Sequence, residues 1–105
     1  MNALFLCGKG RIRSPAAADI ALEFGVVSDF AGIGADADER VTQEQIDWAE
    51  KIFVMERRLR ARLADVPGLD VSGRKIINLD VPDRFRPGDA ALAELLRARL
   101  APHLP

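Results

Sequence analysis

The chain has one cysteine, one histidine and one tryptophan among its 105 residues. One cysteine cannot close an internal disulfide, and a free thiol fits a reducing compartment, so a cytoplasmic setting is expected. No apolar run approaches the roughly 20 residues that a membrane-spanning helix needs. The N-terminus enters a short apolar run with no basic leader and no cleavage site, so neither a secretory signal nor a membrane partner is expected. Charge of one sign is missing too: 15 basic and 16 acidic residues leave a net charge of −1. No basic stripe with interleaved aromatics runs along the chain, which argues against a nucleic-acid partner. There are no internal repeats and no low-complexity segments.

What is present suits one domain over residues 1–105, with 49% hydrophobic residues to fill its core. A chain of this size buries roughly two-thirds of its unfolded surface. Short apolar runs alternate with segments of helical spacing. Strands are expected near Ala3–Leu6, Val26–Ala31, Lys51–Met55 and Lys75–Leu79. Helices are expected over Pro15–Phe24, Thr42–Glu50, Glu56–Asp65 and Asp89–Leu100. Gly25, Pro67-Gly68 and Pro102 act as stops, and Thr42 with Gln45 has the form of a capping box. Such alternation implies an α/β fold: a four-stranded parallel sheet with helices on both faces.

The chemistry concentrates in Cys7-Gly-Lys-Gly-Arg-Ile-Arg-Ser-Pro15, set between the first strand and the first helix. A strand, a glycine-rich turn and a helix start bring backbone N–H groups to a point, which suits an anion. The amides from Gly8 through Lys9, Gly10, Arg11 and Ile12 to Arg13 are the candidate phosphate ligands. Arg13, six residues after Cys7, adds a guanidinium fork that grips an oxyanion at two points. A thiol in such a ring is favoured as thiolate and stands where it attacks phosphorus. Ser14 either caps the helix or hydrogen-bonds the sulfur, and Pro15 suits the first helical turn. The expected ligand of the loop is phosphate or sulfate, with no metal.

Cys-x5-Arg-Ser-Pro after the first strand resembles the phosphate loop of the low-molecular-weight protein tyrosine phosphatases, most closely a short bacterial branch. Further counterparts follow in order: Phe30-Ala31-Gly32, Val41-Thr42, Ile52 to Glu56, and Leu79-Asp80-Val81-Pro82-Asp83. The resemblance implies a phosphotyrosine phosphatase I-like three-layer sandwich. It implies a hydrolase acting through a phosphocysteine, without a cofactor, on a phosphorylated protein or a small aryl phosphate. It also implies a general-acid aspartate near the C-terminus. Asp80, at the strand end, is the preferred candidate and Asp83 the alternative, because the family's Asp-Pro-aromatic order is altered here. Phe85 is a candidate wall of the substrate mouth.

The chain departs from the family in three ways. Gly10 stands where many members carry an asparagine that braces the loop, so a looser loop and slower turnover are expected. Ile12 stands where many carry a second, protective cysteine, so overoxidation of Cys7 should be harder to reverse. The chain is also shorter than the family's usual length, which leaves peptide specificity less secure than phosphatase chemistry. Three other readings compete. A non-catalytic phosphate- or phosphopeptide-binding module is the main alternative. An arsenate reductase would need further cysteines, and a phosphocysteine carrier would need neither Arg13 nor an acid. Elsewhere Trp48 is expected in the core, the basic face of helix three (Arg57, Arg58, Arg60, Arg62) and the acidic run Asp36–Glu39 in solvent, the last residues frayed, and His103 without a role.

Overall fold

The computed structural model describes residues 1–105. The strand β1 (Asn2–Cys7) lies inside a parallel sheet, between β2 (Val27–Gly32) and β3 (Lys51–Val54), with β4 (Ile76–Asn78) beyond β3. The order is therefore β2-β1-β3-β4. Leu4, Phe5 and Leu6 are all fully buried although successive strand residues face opposite sides. A strand covered on both faces reads as a continuous apolar run, and Ile52-Phe53-Val54 repeats the pattern. Phe5 and Phe53 stack with their ring centroids 5.1 Å apart, joining the two central strands on one face.

The helices are α1 (Arg13–Glu23), α2 (Gln43–Trp48), α3 (Arg57–Ala64) and α4 (Ala90–Leu100). Right-handed crossovers to β2 on one side and to β3 and β4 on the other place α1 on one face and α2 and α3 on the opposite face, and α4 joins the first face by packing against α1. Leu92, Leu96 and Leu100 recur at helical spacing and are buried where α4 packs beside α1. Leu59 and Leu63 do the same for α3. The capping box at the start of α2 is formed: Gln45 N donates to Thr42 Oγ1 at 3.2 Å, and Thr42 N donates to Gln45 Oε1 at 3.0 Å.

Several details differ from the sequence reading. The first helix begins at Arg13, two residues before Pro15, because Ile12 is its cap residue and Ser14 already lies in the first turn. The regular part of strand four is shorter than expected, yet its pairing continues through Leu79 N to Val54 O (2.9 Å) and Val81 N to Met55 O (2.7 Å). The C-terminal residues are docked. Leu104 is buried, His103 packs edge-on against Phe53, and Lys51 Nζ donates to the His103 carbonyl at 2.6 Å. Trp48 sits on the surface at the end of α2, so it contributes little to the core.

Candidate active site

In an open parallel sheet, ligands bind beyond the carboxyl ends of the strands, where neighbouring connections diverge. Here β1 turns toward β2 through one crossover while β3 turns toward β4 through another. The cleft that opens there holds about 500 Å3, and Cys7, Gly8, Ile12 and Arg13 form part of its lining.

Cys7 is nearly buried at the end of β1. Its Sγ accepts from the Gly10 amide at 3.2 Å and lies 3.1 Å from Ser14 Oγ. Of the two roles open to Ser14, the structure shows the contact with sulfur and no side-chain cap. Gly10 has φ +72°, and a Cβ there would fall 2.8 Å from the Gly32 nitrogen and 2.9 Å from the Ala31 carbonyl carbon. Only glycine fits a left-handed turn pressed against backbone in this way. The amides of Gly8, Lys9, Arg11 and Ile12 find no acceptor within the protein. Those of Arg13 and Ser14, in the first turn of α1, belong to the group that a helix leaves unpaired. Free donors curling around a sulfur atom are the means of holding an oxyanion over it.

Arg13 is almost wholly buried and joins three segments. Its Nη1 donates to Glu56 Oε1, just past β3, and at 3.0 Å to the Val81 carbonyl in the segment after β4. Its Nε lies 3.7 Å from Asp83 Oδ1. Glu56 also accepts from Arg58 Nε at 2.9 Å. Hydrogen bonds from Arg58 and then from Arg13 hold the Glu56 carboxyl below its ordinary range, so it stays charged beneath the guanidinium.

The two candidate acids part company. Asp83 is exposed and lines the cleft across from Cys7. Asp80 lines a separate groove with Arg57, Pro82 and Arg99. Its backbone turns left-handed (φ 57°), with its amide donating to Asn78 Oδ1 at 2.9 Å. The preference for Asp80 therefore departs from the geometry, since that turn carries it past the mouth and brings Asp83 to it. Phe85 does not line the mouth either. It is half-buried against the apolar core, with the Arg84 guanidinium over its ring.

The charged residues expected in solvent are exposed, and several of them also meet partners there. The acidic run folds over the Cys7–Arg13 loop, where Asp36 pairs with Lys9 at 3.5 Å and Asp38 takes both 2.9 Å hydrogen bonds of a bidentate bridge from Arg11. On α3, Arg58 and Arg62 are one turn apart and both line the cleft, while Arg60 donates to the Ile76 carbonyl at 2.8 Å. Glu56, which holds Arg13, is thus a residue that the sequence reading did not single out, and Arg58 and Arg62, expected only as part of a solvated basic face, line the cleft. The usable signal was their position just after a buried strand whose carboxyl end had to face the same rim as Cys7.

The sequence matches no family model, and no curated protein matches it. Solved structures do resemble it in fold. Vibrio vulnificus Wzb in complex with benzylphosphonate superposes with a TM-score of 0.77 at 18% identity, over 96% of this chain and 94% of that one. A low-molecular-weight phosphotyrosine phosphatase from Vibrio cholerae gives 0.71 at 17% identity, over 94% and 89%. The fold is that of the low-molecular-weight protein tyrosine phosphatases. A mutant of YwlE arginine phosphatase with a phosphorylated active-site serine shares it as well, with a TM-score of 0.61 at 19% identity over 97% and 94%. No helix of this chain is long and apolar enough to cross a membrane.

Proposed function

We propose that the protein is a cysteine-dependent phosphomonoester hydrolase that acts on an aryl phosphate such as protein phosphotyrosine. The observation that carries the reading is the sulfur of Cys7 lying inside a loop where the amides of Gly8, Lys9, Arg11 and Ile12 lack partners, with a buried guanidinium and a carboxylate on the same cleft. The solved structures of this fold include Wzb in complex with benzylphosphonate and a mutant arginine phosphatase phosphorylated at its active-site serine, which fits phosphoryl transfer to the loop's nucleophile.

In the first step the Cys7 thiolate attacks phosphorus. An S–P bond forms, the bond from phosphorus to the leaving oxygen breaks, and Asp83, entering protonated, gives its proton to that oxygen. Arg13 and the loop amides hold the three remaining oxygens, where charge is spread in the transition state. In the second step Asp83, now a carboxylate, takes a proton from water. The water oxygen bonds to phosphorus, the S–P bond breaks, and inorganic phosphate and the thiolate are released. Ser14 Oγ, beside the sulfur, steadies the departing thiolate. A free nucleophilic thiol fits a reducing compartment such as the cytoplasm.

The test is hydrolysis of an aryl phosphate in reductant by wild type, Cys7→Ser, Asp83→Asn and Asp80→Asn. Loss of turnover in Cys7→Ser and a roughly 100-fold or greater fall of kcat in Asp83→Asn are expected, with Asp80→Asn near wild type. If Asp80→Asn is the slower aspartate variant, the acid has been misassigned. If wild type binds vanadate and turns nothing over, the protein is a phosphate-binding module.

A further inference from the structure

The walls of the cleft are made of charge. Cys7 and Ile12 are the only hydrophobic residues that line it. The two large aromatics that could have served as a stacking platform are elsewhere, Phe85 against the core and Trp48 in the groove beside α2. In their place the lining carries Lys9, Arg11, Arg13, Arg58 and Arg62.

Four of these five cations are engaged. Lys9 pairs with Asp36, Arg11 with Asp38, Arg13 with Glu56 and Asp83, and Arg58 with Glu56. The Arg62 side chain takes part in none of these ion pairs and in no side-chain hydrogen bond. Helical geometry puts it there. Leu59 and Leu63 turn into the core, and Arg58 and Arg62, each one position earlier, share a face one turn apart. The Arg62 Nη2 lies 3.8 Å from where a Cβ on Gly34 would stand, which brings the guanidinium over the loop that packs on Gly8.

We infer that Arg62, with the free N–H groups of Arg58, forms a second anion subsite at the mouth, so that the preferred substrate carries a carboxylate or similar anionic group on its leaving side. This rests on the phosphatase reading above. An acid attached to the phenol and an acidic residue flanking phosphotyrosine would present the same group.

The test compares 4-(2-carboxyethyl)phenyl phosphate with its primary amide, in which the two-carbon spacer keeps the phenolic leaving groups alike. Wild type should favour the acid in kcat/KM by about fivefold at low salt, the upper range for a solvent-exposed ion pair, with the difference residing mainly in KM. The preference should fall in about 0.5 M salt. Arg62→Gln should bring the ratio to about one, Arg62→Lys should restore part of it, and Arg57→Gln, on the other side of α3, should keep it. Phosphotyrosine peptides flanked by Asp or by Asn, run in parallel, tell whether the anion comes from a small acid or a peptide. Equal rates on acid and amide in wild type, or a ratio indifferent to Arg62→Gln, would overturn the subsite while leaving the phosphatase intact. Equal loss on both substrates in Arg62→Gln also overturns it, since the guanidinium would then be stacking on the ring. Absence of turnover on every substrate counts against the phosphatase reading instead.

Discussion

Glu56→Gln tests whether Arg13 is held by charge or merely enclosed. Arg13 is nearly buried, and Glu56 is the carboxylate hydrogen-bonded to it. Breaking a buried pair from one side costs about 3–5 kcal/mol, because the other charge is left in a poor solvent. Three features lower that figure here. The Glu56 side chain is 25% exposed, Asp83 remains 3.7 Å from Arg13 Nε, and glutamine can still accept one hydrogen bond. A loss of about 2 kcal/mol is therefore expected, or a fall in Tm of about 10 °C for a chain of this length. The pH dependence separates charge from shape. The folded-state carboxyl titrates below its ordinary value of 4.5. Its stabilisation is therefore complete above that value and is lost as pH falls through the lowered one. Urea denaturation of both proteins from about pH 7 to about pH 3 should show a gap that is constant near neutrality and closes at the acid end. A gap below about 0.5 kcal/mol, or one that stays the same across the whole range, would refute the electrostatic account of how Arg13 is positioned.

Two further outcomes follow from the loop. Gly10→Ala combines a left-handed backbone with a Cβ under 3 Å from two backbone atoms. It should cost about 2–4 kcal/mol in urea denaturation and weaken vanadate binding, whereas Gly8→Ala, with open space around its Cβ, should do much less to stability. Ser14→Ala removes the hydroxyl 3.1 Å from the Cys7 sulfur. Losing one hydrogen bond to a charged leaving thiolate should slow phosphoenzyme breakdown by about tenfold or more. The burst of phenol in rapid-mixing experiments should then stand out from the steady state, and loss of the burst itself would place the defect in the first step instead.

The fold and the centre of the site were legible because their signals are local. Four apolar runs, their alternation with helical segments and the Thr42–Gln45 cap each depend on neighbours in sequence, and each is present in the structure. So does the passage from Cys7 to Pro15, where strand end, glycine turn and helix start are contiguous. What was not legible depended on loop conformation. Asp80 and Asp83 are three residues apart, and which one enters the cleft is decided by a positive φ at Asp80 that no pattern of residue types announces. The charges of the 36–39 run are exposed as expected, but their contacts with the Cys7–Arg13 loop, like that of Arg13 with Glu56, join residues distant in sequence. Arg11 and Asp38 are 27 residues apart, and Arg13 and Glu56 are 43. The docked C-terminus depends likewise on Lys51 meeting the His103 carbonyl, 52 residues away.

Gly10 lets a second loop pack against the turn where an asparagine would stand inside it. Without a side chain at its centre, the phosphate loop was expected to be loose. Yet the missing side chain is what lets the turn lie directly on the Ala31–Gly32 backbone. Gly32 and Gly34 answer from the other side, since a Cβ on the first would fall 2.7 Å from the Lys9 carbonyl carbon and one on the second 3.1 Å from the Gly8 oxygen. Backbone hydrogen bonds then join the two loops, from Ile33 N to Cys7 O (2.9 Å) and from Gly34 N to Gly8 O (2.8 Å). The bridge from Arg11 to Asp38 and the pair of Lys9 with Asp36 fasten the outer edge. The bracing moves from one side chain inside the loop to a second loop laid against it. The outer contacts are exposed ion pairs that salt weakens, whereas the glycine packing and the backbone bonds are not screened in that way. Concentrated salt should therefore loosen the rim of the phosphate loop before its centre, and hydrogen exchange should show protection at Ile33 and Gly34 persisting in about 1 M salt. If those two amides lose protection together with the ion pairs, the ion pairs hold the loop and the glycines merely permit it.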